Sequence, residues 1–272
     1  MRFHIPILAL FFLLFAGAQF AARLTFPVSM AVSQGSGITI GNVGPGQTFF
    51  VITDPKETSG GKFGLGGAYD LMVASSVPEG WSSKPSKLYA NPLQVDITVP
   101  KDAPDGEYPV EFSLWDEAGD EGLGGNLSFT AVVTVTRDVM DMQVEPPSLS
   151  VGAGQPARYA ITIVNKGIAN DVFSVGSSGV RSWEFRRSVY VPSGTSRTLS
   201  YEVVGNEESD YEVRITVRSA SSDGISAWRD VTLRVNTDLF SDFRAVNMGV
   251  LLFPISEAPL YFVVGLFSNL LP

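Results

Sequence analysis

One passage of this chain is written twice, and that limits the available folds more than any other feature. Residues 107–136 read EYPVEFSLWDEAGDEGLGGNLSFTAVVTVT, and residues 210–236 read DYEVRITVRSASSDGISAWRDVTLRVN. Each copy opens on an acidic residue and a tyrosine. Each then alternates apolar and polar residues, breaks at a Gly-bearing polar loop, and alternates again. Period-two alternation on both sides of such a loop specifies a β-hairpin with one buried face. The echo reaches upstream: Gly46-Gln47 answers to Gly154-Gln155, and Trp81 to Trp183. With Tyr108 and Tyr211, the anchors lie at offsets of 108, 102 and 103 residues, about the length of one β-sandwich domain.

The resulting expectation is an all-β protein of two tandem Ig-like β-sandwiches, residues 25–137 and 138–240. They follow an N-terminal signal segment, 1–22, and precede a hydrophobic C-terminal segment, 246–272. The 272 residues suffice for two such domains with both ends. In the first domain, strands are expected near 47–53, 69–75, 93–99, 108–115 and 126–136. In the second they are expected near 156–164, 170–175, 188–191, 198–204, 211–219 and 227–236. Residues 24–40 form a lead-in ending in the strand-like GSGITIGNV. Residues 137–147, with Pro146-Pro147, are expected to form a short, stiff linker that limits interdomain freedom.

The two ends have their own chemistry. In MRFHIPILALFFLLFAGAQFAA, Arg2 precedes an apolar run over residues 5–15, and Ala16-Gly17-Ala18 fits a small-x-small cleavage site. Export is expected, with an uncleaved anchor as the alternative. Residues 248–271 are 24 mostly apolar positions, long enough to span a bilayer as a helix. Pro254 and Pro259 would kink that helix, and Glu257 near its middle is costly there unless neutralised or paired. This segment is expected to hold the protein to a membrane. If Glu257 met a polar group on a partner membrane protein, the chain would instead be an accessory subunit.

Composition removes several activities. There are no cysteines, and His4, inside the leader, is the only histidine. Thiolate nucleophiles, disulfides, Cys-ligated metals and, after leader removal, His-dependent triads are all excluded. A net charge of −9 argues against nucleic acid as a partner. Acids are plentiful, but none falls in a recognisable pocket motif, so a carbohydrate hydrolase is only an alternative. No catalytic residue and no cofactor is expected.

The order GxGQ, Trp, a VP-S-G-type turn and a D-Y-x-V or G-x-Y-V hairpin resembles the Ig-like domains of the alpha-galactosidase-associated family. The residues that carry the likeness are PEGW and VPKDAPDGEYPVEF in the first copy, and YVPSGTSRTLSYEV in the second. Such domains recur in archaeal and bacterial surface proteins. The resemblance implies a spacer or binding module, and it supplies no catalytic residue.

The candidate sites lie where the copies differ. DPKETSGGKFGLGG, residues 54–67, is inserted where the second copy has a short NKG turn. DEAGDEGLGG, residues 116–125, caps the first hairpin where the second has SASSDGIS. In an Ig-like sandwich these are the B–C and F–G loops, which cluster at one end. The expectation is an outward contact surface for a protein or glycan, using Asp54, Lys62, Phe63, Leu65, Glu117 and Leu123. The competing reading is two decorative loops without a ligand. Asp116, Glu117, Asp120 and Glu121 are candidate oxygen ligands for calcium, though not at EF-hand spacing. Asn126 heads an N-x-S sequon. Trp81 and Trp183, at equivalent places, are expected to pack in the cores. Arg181, Arg186 and Arg187, near Trp183, are taken as cross-strand partners of acidic residues rather than as a site for anionic glycans.

Overall fold

The computed structural model describes residues 21–57, 61–117, 119, 122–123, 125–180 and 183–236. Residues 1–20 of the expected signal segment, Asp120, Glu121, Arg181, and the C-terminal segment with Pro254, Glu257 and Pro259 lie outside the described residues. The described part is all β. It holds no helix long and apolar enough to cross a membrane.

The first domain has eleven strands: β1 (Ala21–Phe26), β2 (Met30–Ser33), β3 (Ser36–Val43), β4 (Thr48–Asp54), β5 (Lys56–Glu57), β6 (Gly67–Ala68), β7 (Leu71–Ser76), β8 (Ser82–Lys84), β9 (Leu93–Thr98), β10 (Gly106–Trp115) and β11 (Leu127–Val135). They form two main sheets, ordered β2-β1-β4-β9-β8 and β3-β11-β10-β7, while β5 and β6 pair separately. The second domain has β12 (Met140–Glu145), β13 (Ser148–Gly152), β14 (Pro156–Asn165), β15 (Asp171–Ser178), β16 (Arg186–Val191), β17 (Ser196–Val204), β18 (Ser209–Ser219) and β19 (Ser226–Asn236). Its sheets run β12-β14-β17 and β13-β19-β18-β15-β16.

This is immunoglobulin-like order. The opening stretch of each domain contributes to both sheets: β1 and β12 pair antiparallel in one, and β3 and β13 lie parallel to the final strand in the other. Proline cannot donate to a ladder, so Pro146-Pro147 fall where the second domain's chain changes sheets, whereas in the first domain Pro27 lies in the turn from β1 to β2 of the same sheet and the chain crosses between β2 and β3. Both domains also carry a tyrosine corner. The Tyr108 hydroxyl donates to Pro104 O (3.0 Å) and the Tyr211 hydroxyl to Glu207 O (3.2 Å), each four residues upstream. The repeated tyrosines read from the sequence are these corners, and the twin passages are the hairpins β10–β11 and β18–β19.

Alternation sets what is buried. β11 turns Leu127, Phe129, Ala131, Val133 and Val135 inward, and Val213, Ile215 and Val217 of β18 do the same. Trp81 is 8% exposed and packs on Phe49 and Tyr108 (centroids 6.4 and 5.4 Å). Trp183 departs from expectation at 38% exposed. Phe185 takes the inner place against Tyr201 (centroids 5.4 Å), and Tyr201 donates its hydroxyl to Trp183 O at 3.0 Å. The cause is a strand switch. After the third inner strand, the first domain adds β8 to the sheet of β9, whereas the second adds β16 to the sheet of β15.

Two boundaries move. β12 pairs with β14 from Met140 to Glu145, so most of the expected linker is a strand and the connection shrinks to residues 136–139. At the other end, β1 begins at Ala21, and Ala22 is fully buried opposite Val32. The first sandwich therefore starts inside the segment assigned to the leader.

The domains meet through a polar junction. The Gly44–Gln47 turn at the base of the first domain faces the loop end of the second. Gln47 Oε1 accepts from Gly44 N (2.7 Å), and Gln47 Nε2 donates to Asp171 Oδ2 (2.7 Å). Asp171 also accepts from Ser219 Oγ (2.6 Å) and Ser221 Oγ (2.9 Å). Ile168 donates its N–H to Asn42 O (2.8 Å), and its side chain joins the core cluster of the first domain. Close approach needs glycine: a Cβ on Gly46, already at φ +76°, would lie 2.3 Å from Ser221 O.

Candidate interaction site at the loop end of the first domain

β4 starts at the junction and runs away from it to Asp54, and β10 does the same to Trp115. The loops that follow therefore lie at the end of the first domain farthest from the second. β1 runs antiparallel to β4, with Arg23 opposite Asp54, so the chain also enters at this end. It leaves at Asn236, opposite Gly152, at the far end of the second domain.

The B–C insertion has its own structure. Lys56 pairs with Ala68 and Glu57 with Gly67, a small hairpin that lifts residues 61–66 above the sandwich. Tyr69 donates its N–H to Pro55 O (2.9 Å) and Asp70 donates to Trp115 O (2.8 Å), tying the hairpin's return to both neighbouring strands. The F–G loop leans on it. A Cβ on Gly122 (φ +67°) would meet Lys62 N at 2.8 Å. Asp70 Oδ2 accepts from Glu117 N at 3.1 Å.

The two loops that sequence placed together are thus in contact, and the expected residues sort by burial. Phe63 and Leu65 are 80% and 85% exposed on the hairpin tip. Lys62 Nζ lies 5.9 Å from the Phe63 ring centroid. Glu117 is exposed and Asp54 half-buried. Leu123 is not a surface residue: it is 1% exposed and packs in the first core. It pins the F–G loop down, which a decorative loop would not need. Asn126 is exposed at the base of this loop.

Sequence reasoning missed the polar residues beneath the tip. Glu57 is buried, and its Oε1 has no hydrogen-bond partner among the described residues. Burial pushes its carboxyl pKa up, the Ala21 backbone N–H lowers it in part, and Asp54 adds a rise. Tyr69, also buried, is pushed up to about 12 by burial, then by Glu57 and Asp116. The pairing of Gly67 with Glu57 could not be read from a Gly-rich string. Calcium gains no support. Asp116 Oδ1 accepts from Gly119 N at 3.0 Å, an ordinary turn contact. Among the described residues, no three His, Cys, Asp or Glu side chains gather as a metal site.

No family model matches the chain, and no curated protein does. Solved structures are similar at a distance. A chimeric titin Z1Z2 carrying a decorin peptide shares 14% identity, covers 81% of this chain and 100% of its own, and has a TM-score of 0.35. The D00–D0 domain of intimin shares 14%, covers 78% and 98%, and has a TM-score of 0.27. The PKD domain of an M14-like peptidase from a Thermoplasmatales archaeon shares 13%, covers 36% and 94%, and has a TM-score of 0.26. At such scores the fold rests on strand order and the tyrosine corners. The likeness to the alpha-galactosidase-associated domains rests on the residues quoted for it.

Proposed function

We propose that this protein is a non-catalytic, exported surface protein, held to a membrane by residues 246–272, whose first sandwich presents its loop end to a protein partner. One observation carries the reading. The same end of the second sandwich is a docking surface within this chain: its B–C loop places Ile168 in the neighbouring core, and Asp171 beside that loop takes a hydrogen bond from Gln47. The first sandwich repeats this end with a longer B–C loop, whose apolar residues Phe63 and Leu65 stand in the open. Exposed apolar side chains ringed by polar ones mark contact surfaces.

The chain's path supports the orientation. The described chain leaves at Asn236, at the far end of the second domain. Its longest strand has 11 residues, about 36 Å at roughly 3.3 Å per residue. Two such domains in series carry the loop end about 70 Å from the anchor. This requires leader cleavage at or before Gln19 or Phe20, because Ala21 enters the loop end of the same domain. An uncleaved leader would bring that end back to the membrane.

The test uses the full chain in native membranes with a photo-crosslinker at position 62. The expected result is one dominant protein adduct, lost when Phe63 and Leu65 are both replaced by serine. An adduct unchanged by those replacements overturns the proposal.

A further inference from the structure

The outer face of the β13-β19-β18-β15-β16 sheet carries a shallow, open groove of about 560 Å³. Its floor is Ser174 and Gly176 of β15 and Thr216 of β18. Arg186, Arg214 and Arg218 rise from it, with Glu184 at one side. The expectation that Arg186 pairs across strands with an acid fails, and Arg218 is in the same position. The register sets Arg186 opposite Gly176, and Arg218 between Ser174 and Ser226. Neither makes an ion pair among the described residues.

Arg214 is held differently. It sits opposite Asp230, with Nε to Oδ1 at 2.8 Å and Nη2 to Oδ2 at 3.0 Å, and its guanidinium lies 4.5 Å from the centroid of the Trp228 ring. Trp228 is 56% exposed and stands opposite Thr216 at the groove's edge. Glu184 lines the groove, and Asp230 and, more distantly, Glu212 act on Arg214; Arg186 and Arg218 are the charges left unpaired, on a chain whose net charge is −9.

The first domain shows that the fold does not require this. Aligned on the tyrosine corners, Glu111 stands where the second domain has Arg214, and Trp115 where it has Arg218. Leu71, opposite Trp115, stands where Ser174 faces Arg218, and Val73, opposite Ser113, where Gly176 faces Thr216. The edge strand that supplies Arg186 exists only because β16 joined this sheet.

We infer that this face binds a carboxylate-bearing polysaccharide chain. Guanidinium forks without a carboxylate partner match a uronate carboxylate in bidentate geometry. Ser174 and Thr216 offer hydroxyls to sugar hydroxyls, and the exposed Trp228 offers an apolar face at the edge. The open shape suits a chain rather than an enclosed small molecule. So small an excess of positive charge is too little for nucleic acid. The site lies on a different domain and face from the loop end, so it stands or falls independently of that reading.

Calorimetry on the full chain tests it, with short oligogalacturonate as the probe and the uncharged galactose oligomer as its neutral counterpart. Oligogalacturonate is expected to bind, more weakly as salt rises, and the neutral oligomer not to bind. R186S and R218S should each weaken binding about tenfold with the melting temperature unchanged, since both side chains are exposed. R218K should lose an intermediate amount, because it keeps the charge without the fork. Undiminished binding by the R186S/R218S variant overturns the proposal. So does failure of oligogalacturonate to bind, including a result in which only dextran sulfate does.

Discussion

The two sandwiches share a strand order and a tyrosine corner, yet their loop ends have opposite fates. In the second domain the B–C loop is short, Ile168 sits in the neighbouring core, and the buried Asp171 gathers Gln47, Ser219 and Ser221. In the first domain the same end carries a hairpin with Phe63 and Leu65 exposed, beside an F–G loop pinned by the buried Leu123. A duplicated module thus keeps its core and spends its divergence on two places: the loop end, and the edge strand that switches sheets. Core positions must preserve packed volume, whereas loops and edges meet only solvent or a partner.

The largest contrast to test is between the tryptophans. Trp81→Ala removes a ring packed between Phe49 and Tyr108 and is expected to cost about 3–5 kcal/mol in urea unfolding. Trp183→Ala, on the switched strand's approach, is expected to cost about 1 kcal/mol or less. Equal losses would mean that the strand switch does not separate their roles. Next comes the junction. Asp171→Ala strands the Gln47 amide, the buried Ser219 hydroxyl and the half-buried Ser221 hydroxyl, for an expected loss of about 3 kcal/mol by the same measurement. A loss near zero would show that the second domain's loop end is not held at the junction by this carboxylate.

Much of this was legible in the sequence, and the failures have physical causes. Hairpins and inner strands were readable because alternation with a dry face leaves a period-two signature, as in LSFTAVVTV of β11. β12 also alternates, but its neighbours Pro146-Pro147 pull the eye toward a linker. Only the sheet crossover explains why proline sits there. β1 was hidden because AARLTF begins with the small residues that a cleavage site also needs. Leu123 could not be sorted from Leu65, since both are leucines among glycines, and only the tertiary fold decides which turns inward. The repeated Gly-Gln anchor marked the duplication, not a bond 124 residues away. The arginine groove escaped because its members come from three strands, and register, not spacing, brings them together.

Glu57 sharpens the comparison at the level of protonation. Its folded-state pKa lies above the ordinary carboxyl value of 4.5, so the folded state holds its proton to higher pH than the unfolded chain does. Stability therefore falls as pH rises from about 4.5 through the folded pKa, and the full penalty persists above it. Glu57→Gln should remove that slope and stabilise the first domain at pH 7, seen as a higher melting temperature than wild type across the neutral range. An unchanged pH profile would place the carboxylate in better solvation than its burial implies. Tyr69 and Tyr159, both raised to about 12, act at the other extreme: the stability tied to their neutral phenols is present below pH 10 and is lost as pH climbs through 12.

The smallest effect on stability is expected exactly where the effect on binding should be greatest. Replacing Phe63 and Leu65 together by serine removes no buried contact, because both side chains already face water, so the unfolding free energy should move by no more than about 0.5 kcal/mol. Ile168→Ser is the matched change on the second domain's loop. There the side chain leaves a packed core and a polar group enters it, so a loss of about 2–4 kcal/mol is expected in the same urea titration. The ratio of the two losses measures how far one loop end is filled and the other open. If the serine pair at the first tip destabilised the chain as much as Ile168→Ser does, that tip would already be covered by the protein itself, and it would have nothing left to offer a partner.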